Sequence, residues 1–132
     1  MTIYLDFDGT VLEHHYPALG AQNPHALRVI AKLQTKGHHI ILNTYRADLN
    51  DGSLEEALAY LNSSGEIEAI TEHSEVKVNP PCFDLDEALR SGELYIDDIS
   101  EGIPMRRNKV LEYGLMVDWV ELERLLIGAG IC

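Results

Sequence analysis

The sequence predicts an α/β fold, a doubly wound, Rossmann-like parallel sheet with helices on both faces. Short apolar runs alternate with segments of helical periodicity along the whole chain. The run Ile40–Leu42 contains no polar residue, which is typical of a buried parallel strand. Because the chain has 132 residues and no internal repeat or Ser/Gly linker, we expect a single domain over residues 1–132.

Five short apolar segments are predicted to be strands. They lie at residues 3–7, 40–42 and 66–70, within "ELYIDD" at residues 93–98, and at residues 110–113 as an edge strand. Pro17 and Gly20 mark the segment after the first strand as a loop.

Four helices are predicted from their capping residues. Asn23 is the expected N-cap of the first helix, with Pro24 in its first position and Gly37 after its end. Ser53 and Glu56 have the spacing of a capping box for the second helix. The remaining helix signals are "DLDEALRSG", which ends at Gly92, and the Asp118/Glu121 pair that opens the last helix.

Composition excludes several classes of protein. The formal net charge is −12, from 22 acidic and 10 basic residues, and such a surface repels nucleic-acid phosphates within ~8–10 Å, which counts against a non-specific duplex binder. No apolar run approaches the roughly 20 residues of a membrane span, and no signal-peptide pattern is present at the N-terminus. Cys82 and Cys132 are too few for a disulfide framework, so we expect reduced thiols in a cytoplasmic protein without membrane contact.

Polar residues follow the predicted strands at their carboxyl ends, where parallel sheets bind ligands. Asp6 and Asp8 follow the first strand, and Asp97 and Asp98 follow a later one. The other polar residues expected near this edge are Asn43, Thr44, Arg46 and Lys77. Four separate segments therefore contribute to one predicted site.

The residue types at this edge are suited to phosphoryl transfer. Asp6 is the candidate nucleophile, because a carboxylate can attack phosphorus and form an acyl phosphate. Asp8 is the candidate general acid and base. Several carboxylates near one phosphate require a cation, and Mg²⁺ bound by these two residues together with Asp97 and Asp98 meets that need.

Further residues are candidates for binding the phosphate. They are Gly9, Thr44, Tyr45, Arg46 and Lys77. Thr44 can donate a hydroxyl hydrogen bond, Lys77 can supply positive charge, and Gly9 would let backbone N–H groups approach closely. Arg46 is equally compatible with binding phosphate and with pairing to a nearby acid.

These segments resemble the four motifs of the haloacid dehalogenase (HAD) superfamily, in the family's order, over residues 3–98. "DFDGT" resembles the first motif, and "IILNTYR" resembles the second, an apolar strand that ends in Thr44. "KVNPPCF" resembles the lysine motif with Lys77, for which Arg46 or Arg90 are alternatives, and "LYIDD" resembles the acidic fourth motif.

The resemblance implies Asp6 as the phospho-accepting nucleophile and Asp8 as the general acid/base. It also implies Mg²⁺ held by the Asp6 side chain, the Asp8 backbone carbonyl and an acid of the fourth motif. Asp97 is favoured as the direct ligand, with Asp98 acting through water or as an outer partner. The dehalogenase branch lacks the second aspartate of "DFDGT", so the resemblance implies a phosphatase or phosphotransferase.

Both segments that carry cap domains in the family are short here, which implies a capless member. Open sites of this kind suit a phosphorylated small molecule, such as a sugar phosphate or nucleotide, or a phosphorylated nucleic-acid end. A neighbouring subunit of a homo-oligomer could also close the site.

Two other functions are compatible with parts of the pattern. A receiver-like signalling module also combines acids, Thr and Lys on a doubly wound sheet, although its motif order differs. A catalytically silent phosphate-binding protein is the other alternative.

The loop residues His14, His15 and Tyr16 are open to three interpretations, a solvated loop, a flap that contacts substrate, and a transition-metal site that their spacing does not support.

Overall fold

The computed structural model describes residues 1–15, 18–75, 79–107 and 114–132, and its main sheet has three parallel strands. They are β1 (Thr2–Leu5), β2 (His39–Leu42) and β3 (Glu93–Ile96). The strand order is β2-β1-β3, so β1 lies in the middle. The protein is therefore a mixed α/β fold, as the alternation of apolar and helical segments predicts.

Four helices accompany this sheet in the described residues. They are α1 (Ala26–Thr35), α2 (Ser53–Ser63), α3 (Leu85–Ser91) and α4 (Trp119–Gly128). α1 buries Leu27, Ile30 and Leu33, which recur on one face of a helix. α4 lies against α1, and its Glu123 carboxylate bonds to Arg28 at 2.7 Å and to Lys32 at 2.8 Å. None of the helices in the described ranges has the length and apolarity needed to cross a membrane.

The predicted end of α3 and the predicted start of α4 are confirmed. The side chain of Asp84 accepts a hydrogen bond from the Glu87 N–H, and Gly92 after α3 has a φ of 77°, which is the left-handed conformation that favours glycine. Asp118 accepts in the same way from the Glu121 N–H. Each of these signals is local in sequence, which is why they could be recognised without the fold.

The predicted starts of α1 and α2 are wrong. α1 begins at Ala26 after His25, whose φ is 68°, and Asn23 instead donates from its buried amide to the carbonyls of Thr10 and Val117. At α2 the N-cap is Gly52. Among the described residues the Ser53 hydroxyl has no hydrogen-bond partner, and the Glu56 N–H donates to the Gly52 carbonyl at 3.2 Å, so Ser53 does not form the predicted capping box.

The strands also differ from prediction in two places, and a third predicted strand is untested. β1 ends at Leu5, because the Phe7 carbonyl closes a turn by accepting from the Val11 N–H at 2.8 Å. Residues 66–70 form no strand, since side-chain amides from Gln34 and Asn62 satisfy their backbone groups. The predicted edge strand at 110–113 lies outside the described residues.

An antiparallel pair of strands was not predicted from the sequence. It consists of β4 (Met105–Arg107) and β5 (Leu115–Val117). The Val117 N–H donates to the Gly9 carbonyl at 3.1 Å. This pair therefore supports the loop that follows β1, where the candidate site begins.

Candidate functional site

The register of the main sheet brings three polar residues side by side. Leu5 of β1 is level with Leu42 of β2 and with Ile96 of β3. The next residues along the three strands are Asp6, Asn43 and Asp97. Because the strands are parallel, these residues emerge together at the carboxyl edge, as the sequence predicts.

Asp6, Asp97 and Asp98 form a carboxylate triad at this edge. Each offers one oxygen, and these oxygens lie within 4.8 Å of one another. Asp97 is only 5% exposed, and its carboxylate also accepts from the Ile99 N–H at 3.1 Å. Carboxylate oxygens are the ligands that hard divalent cations take, so the triad is a candidate site for such a cation.

The charges of the triad repel one another. Burial, and then the neighbouring charges of Asp97 and Asp98, raise the pKa of Asp6 well above its usual value. Burial, followed by a hydrogen bond to Asp98 and the charge of Asp98, raises the pKa of Asp97 to about 7. The surroundings of Asp6 and Asp97 therefore disfavour ionisation of both carboxyl groups together, and a bound cation would favour it.

Thr10 supports the Asp6 carboxylate from within the same turn. Its hydroxyl donates to Asp6 Oδ2 at 2.8 Å, and this bond lowers the pKa of Asp6, against the larger effect of burial. The Thr10 carbonyl is held by Asn23 Nδ2 and by Trp119 Nε1, both at 2.8 Å. The sequence prediction gave Thr10 no role, although it is the last residue of "DFDGT" and lies four positions after Asp6.

Gly9 makes room for the third carboxylate. Its φ is +84°, and a Cβ added there would lie 2.2 Å from Asp98 Oδ2. The Gly9 N–H donates to the Leu12 carbonyl at 2.8 Å. Gly9 therefore leaves room for Asp98, and its predicted role of letting backbone N–H groups approach a phosphate stays a prediction.

Asp8 is held apart from the triad by Arg46. Arg46 Nε donates to Asp8 Oδ2 at 2.7 Å and Nη2 donates to Oδ1 at 2.8 Å, a two-point geometry that fixes a carboxylate strongly. Arg46 is 1% exposed and also contacts the Ala18 carbonyl at 3.2 Å and the Phe7 ring at 5.3 Å. Of the two roles left open for Arg46, the structure shows the ion pair.

The remaining predicted phosphate ligands lie in different environments. Thr44 is buried, and its hydroxyl accepts from the Arg46 N–H at 3.3 Å at the start of a 3₁₀ turn, Tyr45–Ala47. Tyr45 is 50% exposed. Lys77 lies outside the described residues, so its predicted role stays a prediction.

A cavity of about 240 Å³ opens over the triad. The predicted residues in its wall are Asp6, Asp8, Thr44, Tyr45, Arg46, Asp97 and Asp98. Asn43, which the sequence predicts at this edge, also lines the cavity, as do Leu49 and Ile99, which sequence reasoning did not single out. His14 lines it too, and the three interpretations of its loop stay open.

Comparison with known proteins supports the fold. No protein-family model and no curated protein matches the sequence. A solved structure of a conserved protein from Bacteroides thetaiotaomicron is similar, with 26% identity and a TM-score of 0.61 over 97% of this chain and 90% of that chain. This likeness supports the α/β architecture, and the function must be argued from the site itself.

Proposed function

We propose that this protein is a Mg²⁺-dependent phosphomonoester hydrolase of the HAD type, without a cap domain, that works through an aspartyl phosphate at Asp6. The observation that carries the proposal is the triad of Asp6, Asp97 and Asp98, with oxygens within 4.8 Å of one another in the wall of a cavity. The proposed substrate is a phosphorylated small molecule, and a phosphorylated nucleic-acid end is the alternative.

The chain's own residues account for the first covalent step. A carboxylate oxygen of Asp6 forms a bond to phosphorus as the bond from phosphorus to the leaving oxygen breaks. Thr10 holds one Asp6 oxygen at 2.8 Å and so limits rotation of the nucleophile. A divalent cation bound by the triad would supply positive charge against the phosphoryl oxygens.

Asp8 is proposed to move the proton in both steps. It protonates the leaving oxygen, and it later takes a proton from the water that hydrolyses the acyl phosphate. Both Asp8 oxygens accept bonds from Arg46 in the described state. Asp8 therefore has to leave this ion pair and take up a proton from solvent before it can protonate the leaving oxygen.

The test is phosphate release from a panel of sugar phosphates, nucleotides and 3′-phosphorylated oligonucleotides, with and without Mg²⁺. Asp6→Asn should abolish phosphate release, because the amide cannot replace the carboxylate nucleophile. The variant should still fold, because burial and the nearby Asp97 and Asp98 disfavour the charged form of the carboxyl group that is lost. Asp86→Asn is the matched control, since Asp86 is exposed in the first turn of α3 and should keep wild-type activity. Release that needs neither Mg²⁺ nor Asp6 would overturn the proposal.

A phosphorylated Asp6 that forms but persists would instead favour the signalling alternative. The observation that favours this alternative is the ion pair between Asp8 and Arg46, because an Asp8 carboxylate bound to Arg46 is not free to act as the acid/base that hydrolysis requires. The measurement is the lifetime of the phosphoenzyme after a chase with unlabelled substrate.

A further inference from the structure

The cavity over the triad has two chemically different parts. Its lining includes the carboxylates described above, and it also includes the exposed side chains of Tyr45, Leu49 and Ile99, which we call the rim. Of the eight large apolar side chains that are exposed among the described residues, these three line this one cavity, with 50%, 47% and 56% of their surface exposed. Apolar side chains grouped around a polar centre mark a surface that is covered when a ligand binds.

The charges around the cavity argue against a second anionic group on the ligand. Among the described lining residues the acids are Asp6, Asp8, Asp97 and Asp98, and the single Lys or Arg side chain is Arg46. Arg46 already makes a two-point ion pair with Asp8. A carboxylate or second phosphate on the leaving group would therefore meet four acids and the rim, with His14, Asn43 and Thr44 as the neutral polar residues of the described lining.

The cavity has room for a small leaving group beside the phosphate. Its volume of about 240 Å³ is below the roughly 300–1,000 Å³ of pockets that enclose drug-sized ligands. A phosphate over the triad leaves space for a group of about one ring. Tyr45 offers an aromatic face beside that space, and ring-to-ring contact adds to the gain from apolar burial.

We propose that the substrate is a small phosphomonoester whose leaving group is one uncharged apolar ring, held by the rim of Tyr45, Leu49 and Ile99. This inference rests on the proposed phosphatase function and adds the class of leaving group. It favours aryl-type or arylalkyl phosphates over sugar phosphates, nucleotides and nucleic-acid ends.

The experiment compares kcat/KM for benzyl phosphate, glycerol 3-phosphate and 4-carboxybenzyl phosphate in the presence of Mg²⁺. All three esters have alkyl leaving groups, so their intrinsic reactivities are similar and the comparison reports recognition. We expect benzyl phosphate to be preferred at least ~10-fold over each of the others, the low end of what an apolar contact contributes to selectivity. Equal kcat/KM values, or a preference for glycerol 3-phosphate or 4-carboxybenzyl phosphate, would overturn the inference and leave the phosphatase proposal standing.

Rim variants test whether the named side chains produce this preference. Leu49→Ala and Ile99→Ala should each reduce the ratio of kcat/KM for benzyl phosphate to that for glycerol 3-phosphate several-fold. Leu89→Ala is the matched control, because Leu89 is 51% exposed on α3 and lies outside the cavity lining. A ratio that is unchanged in both rim variants would contradict the assignment of the rim.

Binding without turnover separates failure of the inference from failure of the proposed function. Benzylphosphonate cannot be hydrolysed, and with Mg²⁺ it should raise the Tm of the wild-type protein more than methylphosphonate does at equal concentration. If no ester is hydrolysed but benzylphosphonate is selectively bound, the phosphatase proposal fails and the ring-binding rim stands. If the two phosphonates give equal shifts or none, the rim inference fails.

Discussion

Replacing Gly9 with alanine should weaken divalent-cation binding in addition to destabilising the fold. A Cβ at Gly9 would lie 2.2 Å from Asp98 Oδ2, so this carboxylate has to retreat by about 1.2 Å to reach the 3.4 Å of an ordinary contact. Because Asp98 belongs to the triad, we expect the affinity for Mg²⁺ to fall at least ~10-fold, the lower bound for disturbing a partner at a metal site.

The backbone cost can be separated from the effect on Asp98. Gly9 has a φ of +84°, and alanine in that conformation costs about 1–2 kcal/mol. Gly37 has a φ of +89°, and a Cβ added there would meet no atom within 4 Å, so Gly37→Ala carries the same backbone cost without touching the triad. Both variants should lose about 1–2 kcal/mol of unfolding free energy in urea titrations, and only Gly9→Ala should lose cation affinity by isothermal titration calorimetry.

Either of two results would refute this reasoning. Wild-type Mg²⁺ affinity in Gly9→Ala would show that Asp98 takes no part in cation binding. An equal loss of affinity in Gly37→Ala would show that affinity follows overall stability and not the position of the carboxylate.

Three further predictions follow from the site. Arg46→Met should cost about 3–5 kcal/mol of unfolding free energy, because it leaves the Asp8 carboxylate without its buried partner. In urea titrations, the double variant with Asp8→Asn should recover much of this loss. Strictly additive losses would exclude an energetic coupling between the two residues. In chelator-treated protein, the free energy of unfolding should fall as the pH rises from 5 to 7. The reason is that the pKa of Asp97 is raised to about 7 in the folded protein, whereas the unfolded chain releases this proton at lower pH. The expected slope for one such carboxyl group is about 1.4 kcal/mol per pH unit. Asp97→Asn should flatten this slope, and a wild-type stability that rises over the same range would contradict the assignment. Thr10→Val removes the hydroxyl that donates to Asp6 at 2.8 Å; it should lower kcat about 10-fold or more while KM changes little, and an unchanged kcat would mean that Thr10 does not orient the nucleophile.

Sequence reasoning succeeded where the determining interaction is local. The caps at Asp84 and Asp118 depend on an N–H three residues away, so their pattern is visible in the chain itself. The convergence of Asp6 and Asp97 also follows from local signals, because parallel strands of similar length end at one edge. The paired acids were therefore predictable before their contacts were known.

It failed where a distant partner decides the conformation. Asn23 has the composition of an N-cap, yet its amide joins the Thr10 and Val117 carbonyls, and Val117 is 94 positions away. The segment 66–70 reads as a strand, but amides from Gln34 and Asn62 take its backbone bonds. In both cases a tertiary hydrogen bond outweighs a local preference of about 1 kcal/mol, and nothing in the sequence marks the partner.

The two aspartates of "DFDGT" show the same limit within the site. Residues two apart point to one side only while the backbone stays extended, and β1 ends at Leu5, before either aspartate. Beyond that point the chain turns, so that Asp6 joins Asp97 and Asp98 while Asp8 binds Arg46. One carboxylate thus lies among acids that favour a cation, and the other lies against a buried cation of the chain itself. Under the proposed function, Asp6 is the cation-dependent nucleophile and Asp8 is a separately held proton carrier, a division that two equivalent ligands of one metal would not provide.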